Sequence, residues 1–201
     1  MTMVATRVYL MRHGEVQQSG ELRYNGHLDI DITQKGVEQM HRLADLLAGK
    51  NIVAVYSSDL IRSRKGAEII AARIGISYTP LQELRERSMG SWEGLSAREI
   101  QERFPAEYPA WRADLLNYRP RGGESMLGVQ DRILPVFKRL VAAHAGQEIA
   151  LLVHGGVNRV ILADVLGMPP RNLFRIEQAY GALNIIDCYE DGMTVVKLLN
   201  G

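Results

Sequence analysis

The chain has 201 residues, of which 46% are hydrophobic and 23% charged, and its formal net charge is +1. This composition is typical of a globular protein with a sizeable core. A nearly neutral chain gives no electrostatic reason to expect nucleic acid or an anionic membrane as a partner, so an anionic ligand would need cations concentrated locally. The one cysteine, Cys188, permits no internal disulfide, which fits a reducing cytoplasm.

We expect a cytoplasmic protein with one domain over residues 1–201. The start of the chain lacks the apolar core and cleavage pattern of a signal peptide. No apolar stretch approaches the length of a membrane span. The sequence contains no repeat, low-complexity segment or linker that would divide the chain.

Hydrophobic periodicity predicts alternating strands and helices. In chain order these are a strand over 8–11, a helix over 37–47, a strand over 52–56, a helix over 60–74, a strand over 76–79, helices over 96–104, 108–116 and 124–144, a strand over 149–153, a helix over 157–166, and strands over 183–188 and 194–199. Thr33 and the segment 57–59 are the expected N-caps of the first two helices, and Gly49 and Gly75 should end them. The alternation predicts a mainly parallel sheet with helices on both faces.

Two histidines share one local pattern, in which a buried strand is followed by histidine and then glycine. His13 follows the strand over 8–11, and His154 follows the strand over 149–153. Ligands bind beyond the carboxyl ends of strands in an open α/β sheet. A single strand-end histidine is more often structural than catalytic, but two placed alike favour a shared site.

Two arginines are candidates for binding an anion near these histidines. Arg12 directly precedes His13, and Arg62 lies in the first turn of a predicted helix, where a cation opposes the helix dipole. A nearby anion would explain Arg62, although an ion pair with Asp59 or Glu68 would explain it equally well. Together the two guanidinium groups could offer bidentate forks to phosphate oxygens.

A carboxylic acid for proton transfer is expected in the irregular, charged segment 81–94. It carries Glu83, Glu86 and Glu93 together with two glycines and a tryptophan, and it could fold over a site. Such a segment is more often solvated surface, and composition does not choose among the three carboxylates.

Several other chemistries have no support in the sequence. The histidines form no His-Glu-x-x-His pair and no Cys-His cluster, so neither a metal nor another cofactor is predicted. A nucleotide P-loop is absent, and so is the Gly-x-Ser-x-Gly elbow of serine hydrolases.

Five motifs in order resemble the histidine phosphatase superfamily, the phosphoglycerate mutase-like group. They are Arg12-His13-Gly14-Glu15, Ser58-Asp59-Leu60-x-Arg62, Glu86-x-x-x-Gly90-x-Trp92-Glu93-Gly94, Gly122-Gly123-Glu124-Ser125 and Val153-His154-Gly155-Gly156. Each motif is weak alone, but five in the right order form a specific signal.

The resemblance implies a fold and a mechanism. The fold is a three-layer α/β/α sandwich with a mainly parallel sheet. His13 would be the nucleophile and would form a phosphohistidine. Arg12, Arg62 and a protonated His154 would hold the transferring phosphoryl group, and Glu86 would donate the proton to the leaving group. This scheme requires no metal.

Further substrate contacts follow less directly from the resemblance. Family members often carry Thr or Ser after the first motif and an Asn a few residues later, and here those places hold Val16 and Ser19. Gly14 is expected to let phosphate approach closely. The substrate-binding residues that we expect are Ser19, Tyr24, Asn25, Gly26, Arg85 and Gly155.

The leading hypothesis is a phosphomonoester hydrolase that acts on a small phosphorylated metabolite, similar to broad-specificity and α-ribazole phosphatases. A phosphoglycerate mutase is the alternative, although segment 94–122 lacks the longer basic insertion with which such mutases hold a bisphosphate. A non-catalytic phosphoester-binding module is the third hypothesis. We expect 81–118 to be a lid that sets specificity, and a homodimer through a sheet edge is a further expectation.

Overall fold

The computed structural model describes residues 4–17 and 20–201. A six-stranded sheet runs through this part of the chain, with strands β1 (Thr6–Arg12), β2 (Ile52–Ser57), β3 (Tyr78–Pro80), β4 (Glu148–Val153), β5 (Leu183–Cys188) and β6 (Thr194–Leu198). The strand order is β3-β2-β4-β1-β5-β6. Pairing is parallel from β3 through β1 and antiparallel on both sides of β5. Only β5 therefore runs against the others, which confirms the predicted mainly parallel sheet.

The α-helices are α1 (Gln34–Leu47), α2 (Ile61–Ile74), α3 (Ala97–Arg103), α4 (Glu107–Ala113), α5 (Met126–Ala143) and α6 (Gly155–Val165). The Thr33 side chain caps α1 as predicted, because its oxygen accepts from the Gly36 N–H. Gly75 ends α2 in the left-handed conformation. In the described parts of the chain, no helix combines the length and apolar character needed to cross a membrane.

The sheet is covered on both faces, which gives the predicted three layers. Tyr9 and Met11 of β1 point to the face that α1 and α2 cover. Val8 and Leu10 point to the opposite face, under α5 and α6. This alternation is the period of two that strand geometry imposes. A third, smaller cluster contains Met89, Trp92, Ile100 and Trp111, and it packs α3 and α4 together within segment 81–118.

Two local predictions about helix starts differ from the structure. Helix α6 begins at Gly155 rather than residue 157, because both glycines after His154 adopt helical geometry. Helix α2 has Leu60 at its N-cap and no side-chain cap. The Ser58 hydroxyl contacts His154 instead, and Asp59 pairs with Arg85. Ser58 and Asp59, which were expected to cap α2, therefore contact His154 and Arg85.

Candidate active site

The two strand-end histidines lie side by side at one edge of the sheet. Strands β1 and β4 are adjacent and parallel, with Arg12 opposite Val153 in the register. The His13 N–H donates to the Val153 carbonyl at 3.1 Å. The imidazole centroids of His13 and His154 are 5.1 Å apart. The shared sequence pattern thus leads to one shared location.

His13 is a buried, neutral imidazole with one ring nitrogen fixed. Its Nδ1 lies 2.8 Å from the Gly14 carbonyl oxygen, which can only accept, so Nδ1 carries the proton. Burial lowers the pKa of His13 well below its ordinary value, and the charges of Arg62 and Arg12 act in the same direction. The lone pair therefore lies on Nε2, which is the state that a nucleophile needs.

His154 is fully buried, and its surroundings favour the neutral ring while no anion is bound. The protonated ring expected beside a bound phosphoryl group stays a prediction. Burial is the main cause that lowers the pKa of His154, and the charges of Arg62 and Arg12 act in the same direction. Its Nε2 lies 2.6 Å from the Ser58 Oγ. Its Nδ1 has no hydrogen-bond partner among the described residues. The neutral ring can bind a ligand through a hydrogen bond, and a phosphate dianion would shift its pKa upward again.

Arg62 is 2% exposed and is held by carbonyl groups rather than by an acid. Its two terminal nitrogens donate to the Leu28 and Gly26 carbonyls, each at 2.6 Å. Neither ion pair considered from the sequence forms, since Asp59 binds Arg85 and the contacts of Arg62 are to backbone oxygens. No carboxylate in the described part of the chain forms an ion pair with it, although the charges of Glu86 and Asp29 act on it from a distance.

The structure separates the three candidate carboxylates. Glu86 lines the cavity beside the histidines, and its two oxygens accept from the Gly156 N–H at 2.9 Å and the Arg87 N–H at 2.8 Å. Glu93 accepts from the His27 backbone N–H, and Glu83 faces Arg139 at the surface. Of the three, only Glu86 can reach a group bound at His13.

A cavity of about 220 Å³ opens over these residues. Some arginines on its wall form no ion pair with any described carboxylate. They are Arg12, Arg62, Arg87 and Arg159. Glu86 is the only carboxylate among the described lining residues. Because arginine stays protonated in proteins, the cavity is strongly cationic even though the whole chain is nearly neutral.

The predicted substrate-binding residues divide into three groups. Tyr24, Asn25, Gly26 and Gly155 line the cavity. Arg85 does not, because its Nε and Nη2 both donate to the Asp59 carboxylate at 2.6 Å, and Arg87 lines the cavity instead. Ser19 lies outside the residues that the structure describes.

The structure gives a second reason for the small size of Gly14. A Cβ on Gly14 would lie 2.3 Å from the Gly36 carbonyl oxygen in α1, so the contact between the end of β1 and α1 also limits this position. The close approach of phosphate at Gly14 stays a prediction.

Sequence reasoning did not select Gly156, Arg159 and Tyr180 as site residues. A Cβ on Gly156 would lie 2.3 Å from the Glu86 Oε1, so glycine allows that carboxyl group to reach the start of α6. Arg159 follows one turn later on α6 and reaches the cavity. Tyr180 precedes β5, and the reversed direction of this strand brings its start to the edge where β1 ends. Only knowledge of the strand order could have indicated Tyr180.

Potential metal ligands do not cluster in the described residues. No group of three or more His, Cys, Asp or Glu side chains in 4–17 and 20–201 has a geometry suited to holding a metal ion. The cavity wall beside the histidine pair carries guanidinium groups, which suit an anion.

Comparison with known proteins identifies the family. The model of the histidine phosphatase superfamily (branch 1) matches residues 8–201. An adenosylcobalamin/α-ribazole phosphatase of Salmonella typhimurium is 32% identical over 96% of this chain and 96% of its own. A glucosyl-3-phosphoglycerate phosphatase of Mycolicibacterium vanbaalenii is 33% identical over 85% of this chain and 78% of its own.

Solved structures agree with the sequence comparison. The crystal structure of the α-ribazole phosphatase from Shigella flexneri superposes with a TM-score of 0.91, at 27% identity, over 98% of this chain and 96% of the other. The chain belongs to the histidine phosphatase superfamily. It is an enzyme, a phosphatase of this family, and its fold is phosphoglycerate mutase-like.

Proposed function

We propose that the protein hydrolyses a small phosphomonoester through a phosphohistidine on His13. The observation that supports this most strongly is the neutral His13, with Nε2 free and Nδ1 fixed on a carbonyl. It lies in a cavity with four guanidinium groups that form no ion pair with a described carboxylate. Attack by Nε2 on phosphorus forms the N–P bond while the bond to the leaving oxygen breaks. Arg12, Arg62 and His154 stabilise the charge on the non-bridging oxygens.

Glu86 completes the reaction as the proton donor and then the proton acceptor. A protonated Glu86 gives its proton to the leaving oxygen in the first step, and its carboxylate accepts a proton from water in the second. Water then attacks phosphorus, the N–P bond breaks, and His13 returns to its neutral state with release of inorganic phosphate. The backbone N–H groups of Gly156 and Arg87 hold the carboxyl group in place for both steps.

Segment 81–118 supplies specificity in this proposal. It carries Glu86, Arg87, Met89 and Trp111, which all line the cavity. The partner is a small phosphorylated substrate, and α-ribazole phosphate and glucosyl-3-phosphoglycerate, the phosphoesters that the relatives' names indicate, belong in the first panel of compounds.

Replacement of His13 by asparagine tests the proposal. Wild-type protein should release inorganic phosphate from several metabolite phosphomonoesters. H13N should lose at least about 1,000-fold in kcat, because the change removes the group that forms the covalent intermediate. Phosphate release is measured, and thermal unfolding confirms that the variant is folded.

Two controls separate this proposal from its alternatives. Interconversion of 3-phosphoglycerate and 2-phosphoglycerate is measured with and without the bisphosphate, and turnover faster than hydrolysis would identify a mutase instead. Wild-type protein that binds phosphoesters but hydrolyses none of them would identify a binding module. Undiminished hydrolysis by H13N would refute the role of His13.

A further inference from the structure

Tyr180 is an aromatic side chain at the cavity that the proposed chemistry does not use. Its ring lies under the Arg12 guanidinium, with the Arg12 Cζ 3.9 Å from the ring centroid. The same ring lies 5.6 Å from the imidazole of His13, centroid to centroid. One half-buried tyrosine therefore lies against both Arg12, the last residue of β1, and His13, which follows it.

Arg12 has few other contacts that could fix its orientation. It forms no ion pair with a described carboxylate, and its Nε is buried without a described hydrogen-bond partner. Its Nη1 donates to the Gln178 carbonyl at 2.5 Å. One carbonyl and one ring face thus hold this guanidinium, and Gly155 lies against its Nε.

Both contacts come from the same loop, and a buried amide pair anchors that loop. Gln178 Oε1 accepts from Asn184 Nδ2 at 2.8 Å, and Gln178 Nε2 donates to Asn184 Oδ1 at 2.9 Å. Asn158 of α6 also donates to Gln178 Oε1, and Asn184 donates to the Leu10 carbonyl of β1. All three amide side chains are at most 2% exposed. These hydrogen bonds tie the loop to β1, β5 and α6.

We propose that Tyr180 is a positioning residue that sets the orientation of the Arg12 guanidinium for phosphate. The loop anchored by Gln178 and Asn184 places the Tyr180 ring against one face of the Arg12 guanidinium. The Gln178 carbonyl accepts a hydrogen bond from Nη1 of the same guanidinium. The face of an aromatic ring attracts a cation, and more strongly where the cation is partly desolvated, as the half-buried Arg12 is. The inference rests on the proposed function, because it assigns Arg12 to phosphate binding.

The proposal predicts an effect of the ring rather than of the hydroxyl group. Y180L and Y180M should raise the inhibition constant of inorganic phosphate and lower kcat/KM, each by about tenfold. Y180F keeps the ring and should recover most of both values. In an R12K background, Y180L should change the inhibition constant of phosphate and kcat/KM by less than about twofold. The effects of two residues that act through one contact are not additive.

Y189L is the matched control. Tyr189 has similar burial and follows β5, at the sheet edge remote from His13. It should leave the inhibition constant of phosphate unchanged. The proposal is overturned if Y180L and Y180M bind phosphate like wild type, if Y180F loses as much as Y180L, or if Y180L costs a full tenfold in R12K as well. Wild-type hydrolysis together with inactive H13N tests the proposed function separately, so either claim can fail without the other.

Discussion

At the scale of single residues, burial among cations keeps the two site histidines neutral. Desolvation lowers the pKa of His13 and of His154, and Arg12 and Arg62 lower both further. The same cations attract a phosphate dianion, so one set of charges both prepares the nucleophile and binds the group that it attacks.

This arrangement makes stability depend on pH. The pKa of each histidine is depressed in the folded state below its ordinary value of 6.5, so the unfolded chain binds more protons just below that pH. The stability that the two neutral histidines contribute is fully present above about pH 6.5. It is lost as the pH falls towards their pKa values in the folded state, at up to about 1.4 kcal/mol per pH unit for each histidine.

Thermal unfolding between about pH 5 and pH 8 measures this effect. H154N should have a shallower loss of stability in acid than wild type. H41N, at an exposed histidine on α1, is the control and should keep the wild-type slope. Equal slopes for wild type and H154N would contradict the assigned cause.

The sequence motifs predicted most of the residues that lie at the site. They did not predict the residues that hold those side chains in position. Arg12, His13, Arg62, Glu86 and His154 come together because each follows or faces the carboxyl end of a strand. Sequence alone cannot decide whether Arg85 or Arg87 lines the cavity, since the outcome depends on whether Asp59 can reach Arg85. The position of Tyr180 at the site depends on the antiparallel direction of β5, which no local sequence pattern predicts.

At the scale of secondary-structure elements, two glycines let α1 pack against the loop that carries His13. The Cβ of an alanine at Gly36 would lie 2.3 Å from the Glu15 carbonyl oxygen. Gly14 faces the same helix at an equally short distance. The position of His13 therefore depends on close backbone contact with the first turn of α1.

G36A should destabilise the protein by about 1–3 kcal/mol, because the backbone on both sides must shift to relieve the overlap. It should also lower kcat, since Glu15 is two residues from His13. Chemical denaturation and phosphate release measure the two effects.

G128A is the matched control, because Gly128 is also the third residue of a helix and its N–H also bonds to the cap side chain. A Cβ there has room, at 3.4 Å from the Ser125 Oγ. Since alanine is the better helix former, G128A should be neutral or stabilising by up to about 1 kcal/mol. Equal effects of the two changes would refute the packing argument.

At the scale of the whole molecule, hydrophobic patterning was sufficient to predict the layers. Alternate residues of β1 enter separate cores, and β4 is buried along nearly its whole length, as expected of a central parallel strand. The strand order and the reversal of β5 depend on contacts between distant segments, so no local pattern reports them. A homodimer through a sheet edge stays a prediction.

Catalysis should need no metal ion, because the charges that bind phosphate come from arginines. Dialysis against a chelator should leave kcat and KM unchanged, and added Mg²⁺ or Zn²⁺ should not raise the rate. Inorganic phosphate should instead stabilise the protein, by about 2.7 kcal/mol at 100 times its dissociation constant. Loss of activity on chelation that is restored by a metal would contradict this mechanism.

Trapping the covalent intermediate tests the central claim most directly. The E86Q variant is mixed with an aryl phosphate whose leaving group needs no proton, quenched in alkali, digested and analysed by mass spectrometry. A phosphoryl group that is stable to base, labile to acid and located on His13 is the predicted result, with no label in H13N. A label on another residue, or continued hydrolysis by H13N without any phosphoenzyme, would contradict it.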